Sequence, residues 1–428
     1  MLAPSHRHAA APGTAQRDLT APVVTQPIIF VPGRKQKNDS APAFTPHFTQ
    51  ALPLSLYVHV PWCVRKCPYC DFNSHAAPEA LPEIAFVDAL LEDLTLALPS
   101  IWGRRVETVF FGGGTPSLLS PEAIDRLLTG FRMLLPLSPE AEITLEANPG
   151  TVDAARFAGF RAAGINRLSL GIQSFDDTAL HTLGRIHDRA QAIAAVEAAA
   201  HTFDTFNLDL MVGLPHQNIG AALADIEQAL SFSPPHFSCY QLTLEPHTPF
   251  AAQPPAGLPD DDTCAEIQDR LEERLAEAGY EHYETSAFAR PGHQCRHNLN
   301  YWTFGDYLGI GPGAHGKLTN HEGVRRTMRH KLPKIYLGAA GSGNFTQTDE
   351  AIAADALVGE FMMNALRLNA GFTSELFERH TGLSWLAISR DVESAVRDGF
   401  LEWIVPGKHL RPTLQGRRFL NVLLQRFL

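Results

Sequence analysis

Three of the chain's six cysteines fall within eight residues: Cys63, Cys67 and Cys70, in the run His59-Val-Pro-Trp-Cys-Val-Arg-Lys-Cys-Pro-Tyr-Cys-Asp-Phe72. Three thiolates on a C-x3-C-x2-C loop can ligate three irons of a cubic [4Fe–4S] cluster and leave the fourth iron open. An open iron can bind a second cofactor and reduce it. Electron-transfer clusters usually take four cysteines, so a loop of three points to chemistry at the cluster. Two plainer readings compete. A structural zinc ion needs four ligands, and the fourth here would be His59, His75 or the distant Cys295. A disulfide with a spare thiol fits a small secreted scaffold better than a chain of 428 residues with scattered cysteines.

Other polar residues fall where chemistry would need them. Gly112-Gly-Gly-Thr-Pro116 closes a predicted strand, and glycines let a ligand approach the backbone. A tight turn explains the same glycines equally well. Glu146 and Asp209 lie at or in strands that are otherwise apolar. A buried carboxylate needs a partner such as a ribose hydroxyl or an ammonium group. Arg185, in Leu-Gly-Arg-Ile-His-Asp188, can hold a carboxylate in bidentate fashion. Singly, each has a structural alternative in helix capping or an internal ion pair.

The elements that must position these groups alternate in type. Apolar runs predict strands over 55–60, 108–111, 142–146, 167–171, 207–212, 237–244 and 280–286. Helical spacing predicts helices over 82–98, 121–135, 153–163, 189–200, 221–232 and 261–278. Repeated β–α alternation implies a parallel sheet with helical crossovers, a full or partial barrel of the TIM type. In such barrels ligands sit at the C-terminal ends of the strands. The cysteine loop follows the first strand, GGGTP the second, Glu146 ends the third and Gln173 follows the fourth, while Asp209 lies within the fifth. From about residue 350 the pattern becomes helices, a Pro406-Gly407-Lys408 hairpin and a final helix, a winged-helix-like arrangement. Residues 1–50 are rich in Pro, Ala, Thr and His without a sustained period and predict a disordered extension. They lack the amphipathic, Arg-rich helix of a mitochondrial transit peptide.

Composition narrows the class. The net charge of −11 argues against a nucleic-acid partner, which would call for a basic stripe. No apolar run is long enough to span a bilayer, and residues 1–20 lack the apolar segment of a signal peptide. The expected compartment is the reducing cytoplasm, with at most peripheral membrane contact.

Taken together, Tyr57-Val-His-Val-Pro-Trp-Cys-Val-Arg-Lys-Cys-Pro-Tyr-Cys-Asp-Phe, Gly-Gly-Gly-Thr-Pro, Glu-Ala-Asn-Pro149, Gly171-Ile-Gln-Ser174 and Gly184-Arg-Ile-His187 resemble the radical S-adenosylmethionine enzymes. The likeness covers roughly residues 52–428 and is nearest to the coproporphyrinogen III oxidase-like branch. It implies an α/β fold, a partial (β/α) barrel with a small C-terminal winged-helix-like domain. The implied divisions are an extension over 1–50, a barrel over 51–290, a connecting region over 291–349 and a C-terminal domain over 350–428. It implies a [4Fe–4S] cluster on Cys63, Cys67 and Cys70. Tyr57, Gly113, Gly114, Thr115, Glu146, Gln173, Arg185 and Asp209 match the branch's S-adenosylmethionine positions.

Two departures separate the chain from the oxidase of that branch. The oxidase carries a fourth cysteine two residues after the third, where this chain has Phe72. Its N-terminal substrate arm also has no counterpart. Further on, His297-Asn298-Leu-Asn-Tyr301-Trp302 matches the H-N-x-x-Y-W signature of the HemW-type haem chaperones. That likeness implies haem binding with His297 taking part, and delivery of haem to respiratory haem proteins. Cys295 is an alternative axial ligand, though small-residue packing suits it better. His315, in a Gly-rich loop, reads as a turn residue. Whether the chain is itself an enzyme stays open; the alternative is an oxygen-independent coproporphyrinogen III oxidase-like enzyme of porphyrin biosynthesis. A homodimer is compatible with the family. Trp385 and Trp403 are read as core residues of the C-terminal domain rather than as a docking surface.

Overall fold

The structure is a computed structural model that describes residues 45–428. Most of the segment expected to be disordered therefore lies outside the described residues. Residues 45–50 run against the C-terminal part of the chain. The His47 amide donates to the Gly382 carbonyl (2.8 Å), and Phe48 packs on the apolar cluster there.

The central sheet begins at β1 (Leu54–Val60), which leads into a short parallel pair, β2 (Trp62–Cys63) and β3 (His75–Ala76). Next come β4 (Val106–Gly113), β5 (Leu137–Ala147), β6 (Arg167–Gln173), β7 (Phe206–Val212) and β8 (His236–Gln241). These pair in parallel in the order β1-β4-β5-β6-β7-β8, the expected partial barrel. Helical crossovers cover the outer face, so the strands are buried on both sides and read as nearly unbroken apolar runs. Leu56, Val58, Val109, Phe111, Leu145 and Leu170 are all buried. The crossover helices start on side chains suited to capping. Ser120, Asp153, Asn218 and Asp260 each accept from a backbone amide three residues on, and Asp188 with Gln191 forms a capping box.

The sheet extends beyond these six parallel strands. Beyond β8, the segment predicted as one strand over 280–286 is instead two short antiparallel strands, β9 (Glu281–Glu284) and β10 (Ala287–Ala289). On the other flank, β11 (Asp306–Ile310) pairs in parallel with β1. It is followed by antiparallel β12 (His315–Asn320), β13 (Gly323–Arg329) and β14 (Thr346–Ala351), giving twelve strands among the described residues. A buried ion pair secures this flank. Lys317 Nζ lies 3.0 Å from Asp306 Oδ1, and Arg104 lies 2.9 Å from Asp306 Oδ2. The H-N-x-x-Y-W run forms a short helix, Arg296–Trp302, packed on β1, β4 and β11.

The C-terminal part has its own apolar cluster, with Phe361, Phe372, Phe377 and Leu410 at its centre. Helices Ala356–Ala365, Ser374–Thr381 and Ser389–Arg397 pack with a three-stranded sheet, β15 (Phe372–Thr373), β16 (Leu401–Val405) and β17 (His409–Pro412). Trp385 and Trp403 pack against this cluster with ring centroids 5.9 Å apart. The expected last helix is interrupted at Phe419, where ψ turns to 41°.

Candidate functional site

β1 ends at Val60, and the chain turns into the cysteine loop, whose two ends are pinned together. The His75 amide donates to the Pro61 carbonyl (2.7 Å) and the Ala77 amide to the Cys63 carbonyl (2.8 Å). The end of β4 clasps the same loop: the Gly114 amide donates to the Val60 carbonyl and the Thr115 amide to the Trp62 carbonyl, each at 2.7 Å. This close approach is why the glycines are glycines. A Cβ on Gly114 would stand 2.5 Å from the Trp62 carbonyl oxygen, and one on Gly113, at φ +113°, 2.5 Å from the His59 ring. Part of the glycine requirement thus comes from the protein's own packing rather than from a ligand.

A cavity of about 380 Å³ opens at the C-terminal ends of the strands. Cys63, Cys67 and Cys70 line it, and so do Gly113, Gly114, Thr115, Glu146, Gln173, Arg185 and Asp209. Ten of the twelve residues singled out from the sequence therefore share one chamber. The cysteines are half-buried and unbridged. Burial pushes the Cys63 and Cys70 thiols up, a penalty that coordination to a metal reverses. Arg185 Nη1 lies 3.6 Å from Cys67 Sγ, while its Nη2 donates to the Gly171 carbonyl (2.7 Å) and to Asn148 Oδ1. Its Nε is buried without a partner. A fixed guanidinium beside a cysteine suits the negative charge of a thiolate-bound cluster.

Opposite the cysteines stand the two carboxylates. Glu146 Oε2 accepts from the Gly113 amide (3.1 Å). Burial, and then the nearby Asp209, push its carboxyl up to about 8. Asp209 accepts from Ser169 Oγ (3.0 Å) and Asn207 Nδ2 (2.8 Å), and burial raises it as well. Two carboxyls facing the same cavity, each raised by burial, suit a cationic or hydroxyl-bearing ligand. Gln173 ends β6 at φ +70°, a left-handed backbone rare outside glycine, where the β6–β7 register slips.

The donor set fits a cluster better than a zinc ion. Of the fourth ligands considered, His59 has both ring nitrogens engaged, by Tyr57 (2.9 Å) and the Asn73 carbonyl (2.9 Å), while His75 keeps a buried Nε2 without a partner among the described residues. Cys295 is buried 3.6 Å from Glu142 Oε1. Among the described residues, no three metal-ligating side chains converge on one point. Thiolates that bind separate irons of a cube need not do so.

Two expected residues lie elsewhere. Tyr57 lines a second, larger cavity and reaches the first only through its neighbours. His297 is buried at 1% exposure and lines neither cavity. Its Nδ1 bonds Thr108 Oγ1 (2.7 Å) and its Nε2 bonds the Tyr301 hydroxyl (2.9 Å). Burial, and then Arg167, lower it to about 3, so the ring is neutral. Both ring nitrogens are thus engaged within the fold. Glu142 seats the His297 helix by accepting the Arg296 amide (3.1 Å) and the His297 amide (3.0 Å). Tyr301 and Trp302 from the same motif do reach the larger cavity.

Sequence reasoning missed Asn148, which joins Arg185 to Thr115 by donating to Thr115 Oγ1 (3.1 Å), and Tyr69 and Tyr240 on the cavity wall. Asn148 was within reach, as the second polar residue of the Glu-Ala-Asn-Pro run.

A three-cysteine loop at the mouth of a parallel partial barrel, with carboxylates and an arginine around one chamber, defines the class of radical S-adenosylmethionine proteins. Residues 57–229 match the model of the radical SAM superfamily, and residues 352–419 that of the HemN C-terminal domain. The chain is 47% identical over 378 residues to heme chaperone HemW of Escherichia coli, covering 88% of this chain and 98% of that one. It is 48% identical over 382 residues to heme chaperone HemW of Haemophilus influenzae, with the same coverage. The solved structure of coproporphyrinogen III oxidase (HemN) from E. coli, a radical SAM enzyme, superposes with a TM-score of 0.74 at 25% identity, over 88% of this chain and 90% of that one. The chain belongs to the HemW family of the radical SAM superfamily.

Proposed function

We propose that this chain is a haem chaperone that takes up haem and hands it to respiratory haem proteins. It holds a [4Fe–4S] cluster on Cys63, Cys67 and Cys70. S-adenosylmethionine binds beside it, with Arg185 on its carboxylate, Glu146 and Asp209 on its hydroxyl and ammonium groups, and the Gly113–Thr115 backbone and Gln173 along its length. Tyr57 supports this site through its bond to His59 rather than by contact. When bound, the cluster supplies the electron that cleaves a sulfonium; the protein's part is to orient the cofactor and keep the carboxyls ready.

Phe72 is the observation that carries the chaperone reading. It occupies the position of the oxidase's fourth cysteine, is 61% exposed, and lines both cavities at once. An apolar ring there offers a face for a macrocycle where the oxidase offers a thiol. Delivery is proposed from the cytoplasm. Among the described residues no helix is long and apolar enough to cross a membrane. A homodimer is part of the proposal, and nucleic acid is not a partner.

The oxidase reading keeps one observation in its favour: the cofactor chamber has all its polar groups and adjoins a chamber of about 710 Å³ that would admit a porphyrinogen. The two readings separate in a transfer assay. Haem-loaded protein is mixed with membrane vesicles holding a haem-depleted respiratory cytochrome, and the reduced cytochrome spectrum is followed. Recovery of the spectrum faster than with free haem is expected. Recovery no faster than with free haem sinks the delivery claim.

A further inference from the structure

The larger cavity lies between the exit of the cysteine loop, the H-N-x-x-Y-W helix and the antiparallel strands β12 and β13. Its walls have two characters. Tyr301, Trp302, Phe304 and Tyr307 supply aromatic surface, and Lys66, Lys317, Arg326 and Lys331 supply positive charge. Only Asp71 and Glu146 are acidic, in a chain of net charge −11. An apolar wall beside a cationic edge matches a planar macrocycle that carries carboxylates on one side. The cations are not equally available. Lys317 is bound to Asp306, Arg326 is bound to Glu360 and Tyr307, and Lys66 donates to the Phe72 carbonyl. Lys331 is exposed and makes no ion pair among the described residues.

Three histidines line the chamber. His59 is fully engaged and packs against Gly113. His75 Nε2 is buried with no partner. His315 begins β12 on the Gly311–Ala314 turn and is exposed to the chamber. Among the described residues no protein donor or acceptor holds its ring, and its partial burial, then Lys331 and Arg326, lower its pKa. An imidazole exposed to the chamber and held by no other described residue, beside aromatic walls and an ammonium without an ion pair, is the donor set an iron porphyrin needs.

We propose that haem seats in this chamber with His315 as its axial ligand and Lys331 facing a propionate, while His297 acts from behind as the residue that positions Tyr301. This rests on the haem-chaperone reading and deepens it. The chamber shares Asp71, Phe72, Ser74, Gly113 and Glu146 with the cofactor cavity, so the macrocycle lies next to the cluster.

The test uses the full chain carrying its cluster, titrated anaerobically with haem and followed by visible absorption and electron paramagnetic resonance. His315→Ala is expected to lose the wild-type axial-ligand spectrum and about tenfold or more in affinity, at least what losing a supporting contact of a metal ligand costs. Added imidazole restores the spectrum in this variant. Lys331→Ala narrows the preference of the wild type for haem over its dimethyl ester. His297→Phe, which fills the buried site without ring nitrogens, retains the axial-ligand spectrum; circular dichroism and cluster content report whether each variant is folded. A His315→Ala protein with unchanged spectrum and affinity overturns the seat while leaving the chaperone reading intact. A wild type that binds no haem overturns both.

Discussion

At Glu146 cofactor binding and fold stability oppose each other. Burial, and then Asp209, raise its carboxyl from 4.5 to about 8. The folded protein therefore favours the protonated acid. The stability this contributes is fully present below pH 4.5 and is lost as pH rises through about 8. Each unit of pKa is worth about 1.36 kcal/mol, so the move from 4.5 to about 8 bounds the loss at about 5 kcal/mol. The side chain lines a cavity that admits water, and screening leaves about 2 kcal/mol of that. Glutamine keeps the shape and cannot ionise. Glu146→Gln should leave the melting temperature almost unchanged at pH 5. At pH 9 it should raise it by about 2–3 °C, given an unfolding entropy of about 2 cal/mol/K per residue. The assay is a pair of thermal melts on cluster-free protein. In cluster-loaded protein the same change should weaken S-adenosylmethionine binding about tenfold or more, because a charge-assisted hydrogen bond is lost. An equal gain at both pH values would show that ionisation is not the cause. No gain at pH 9, with cofactor affinity intact, would refute the reasoning outright.

Other perturbations give separate readouts. Cys67→Ser should remove the cluster's visible absorption and its place beside Arg185 while leaving the far-ultraviolet dichroism unchanged; a retained cluster contradicts the ligand assignment. Gly114→Ala forces a Cβ to 2.5 Å from a backbone oxygen that cannot swing aside, so it should cost about 1–3 kcal/mol in urea melts and abolish cofactor uptake. Asp306→Asn strips the charge partner from buried Lys317 and from Arg104, with an expected loss of about 3–5 kcal/mol; a neutral outcome means Lys317 is not charged in the fold. Thr108→Val leaves His297 Nδ1 and Ser55 Oγ without their shared hydroxyl and should cost about 1–3 kcal/mol while haem stoichiometry stays at the wild-type value.

The six parallel strands were legible because burial on both faces writes them as apolar runs such as Leu54–Val60 and Phe206–Val212. The cofactor chamber was legible because barrels gather strand ends, so Cys70, Glu146 and Gln173 could be placed together without knowing a distance. The flank from β11 to β14 was not. Gly323–Arg329 and Thr346–Ala351 are polar strands with no apolar alternation, the second at the sheet edge, and their pairing is set by neighbours in the same flank rather than by a pattern of their own. The surroundings of His297 were hidden for a related reason. Its partners, Thr108 and Tyr301, lie 189 and 4 residues away, and only the fold shows that both ring nitrogens are used. The glycines of the GGGTP run were rightly singled out, but the close approach they permit is to Trp62 and His59.

The central claim is that the radical cofactor site serves a haem carrier. The most direct measurement supplies the anaerobically reconstituted protein with haem and, separately, with coproporphyrinogen III and a reductant. Haem binding is read by visible absorption, and 5′-deoxyadenosine and decarboxylated product are read by mass spectrometry. The account predicts stoichiometric haem binding and no decarboxylation. Decarboxylation coupled to 5′-deoxyadenosine release, with no haem retained, would contradict it and make this chain an oxidase that works with Phe72 in place of the fourth cysteine.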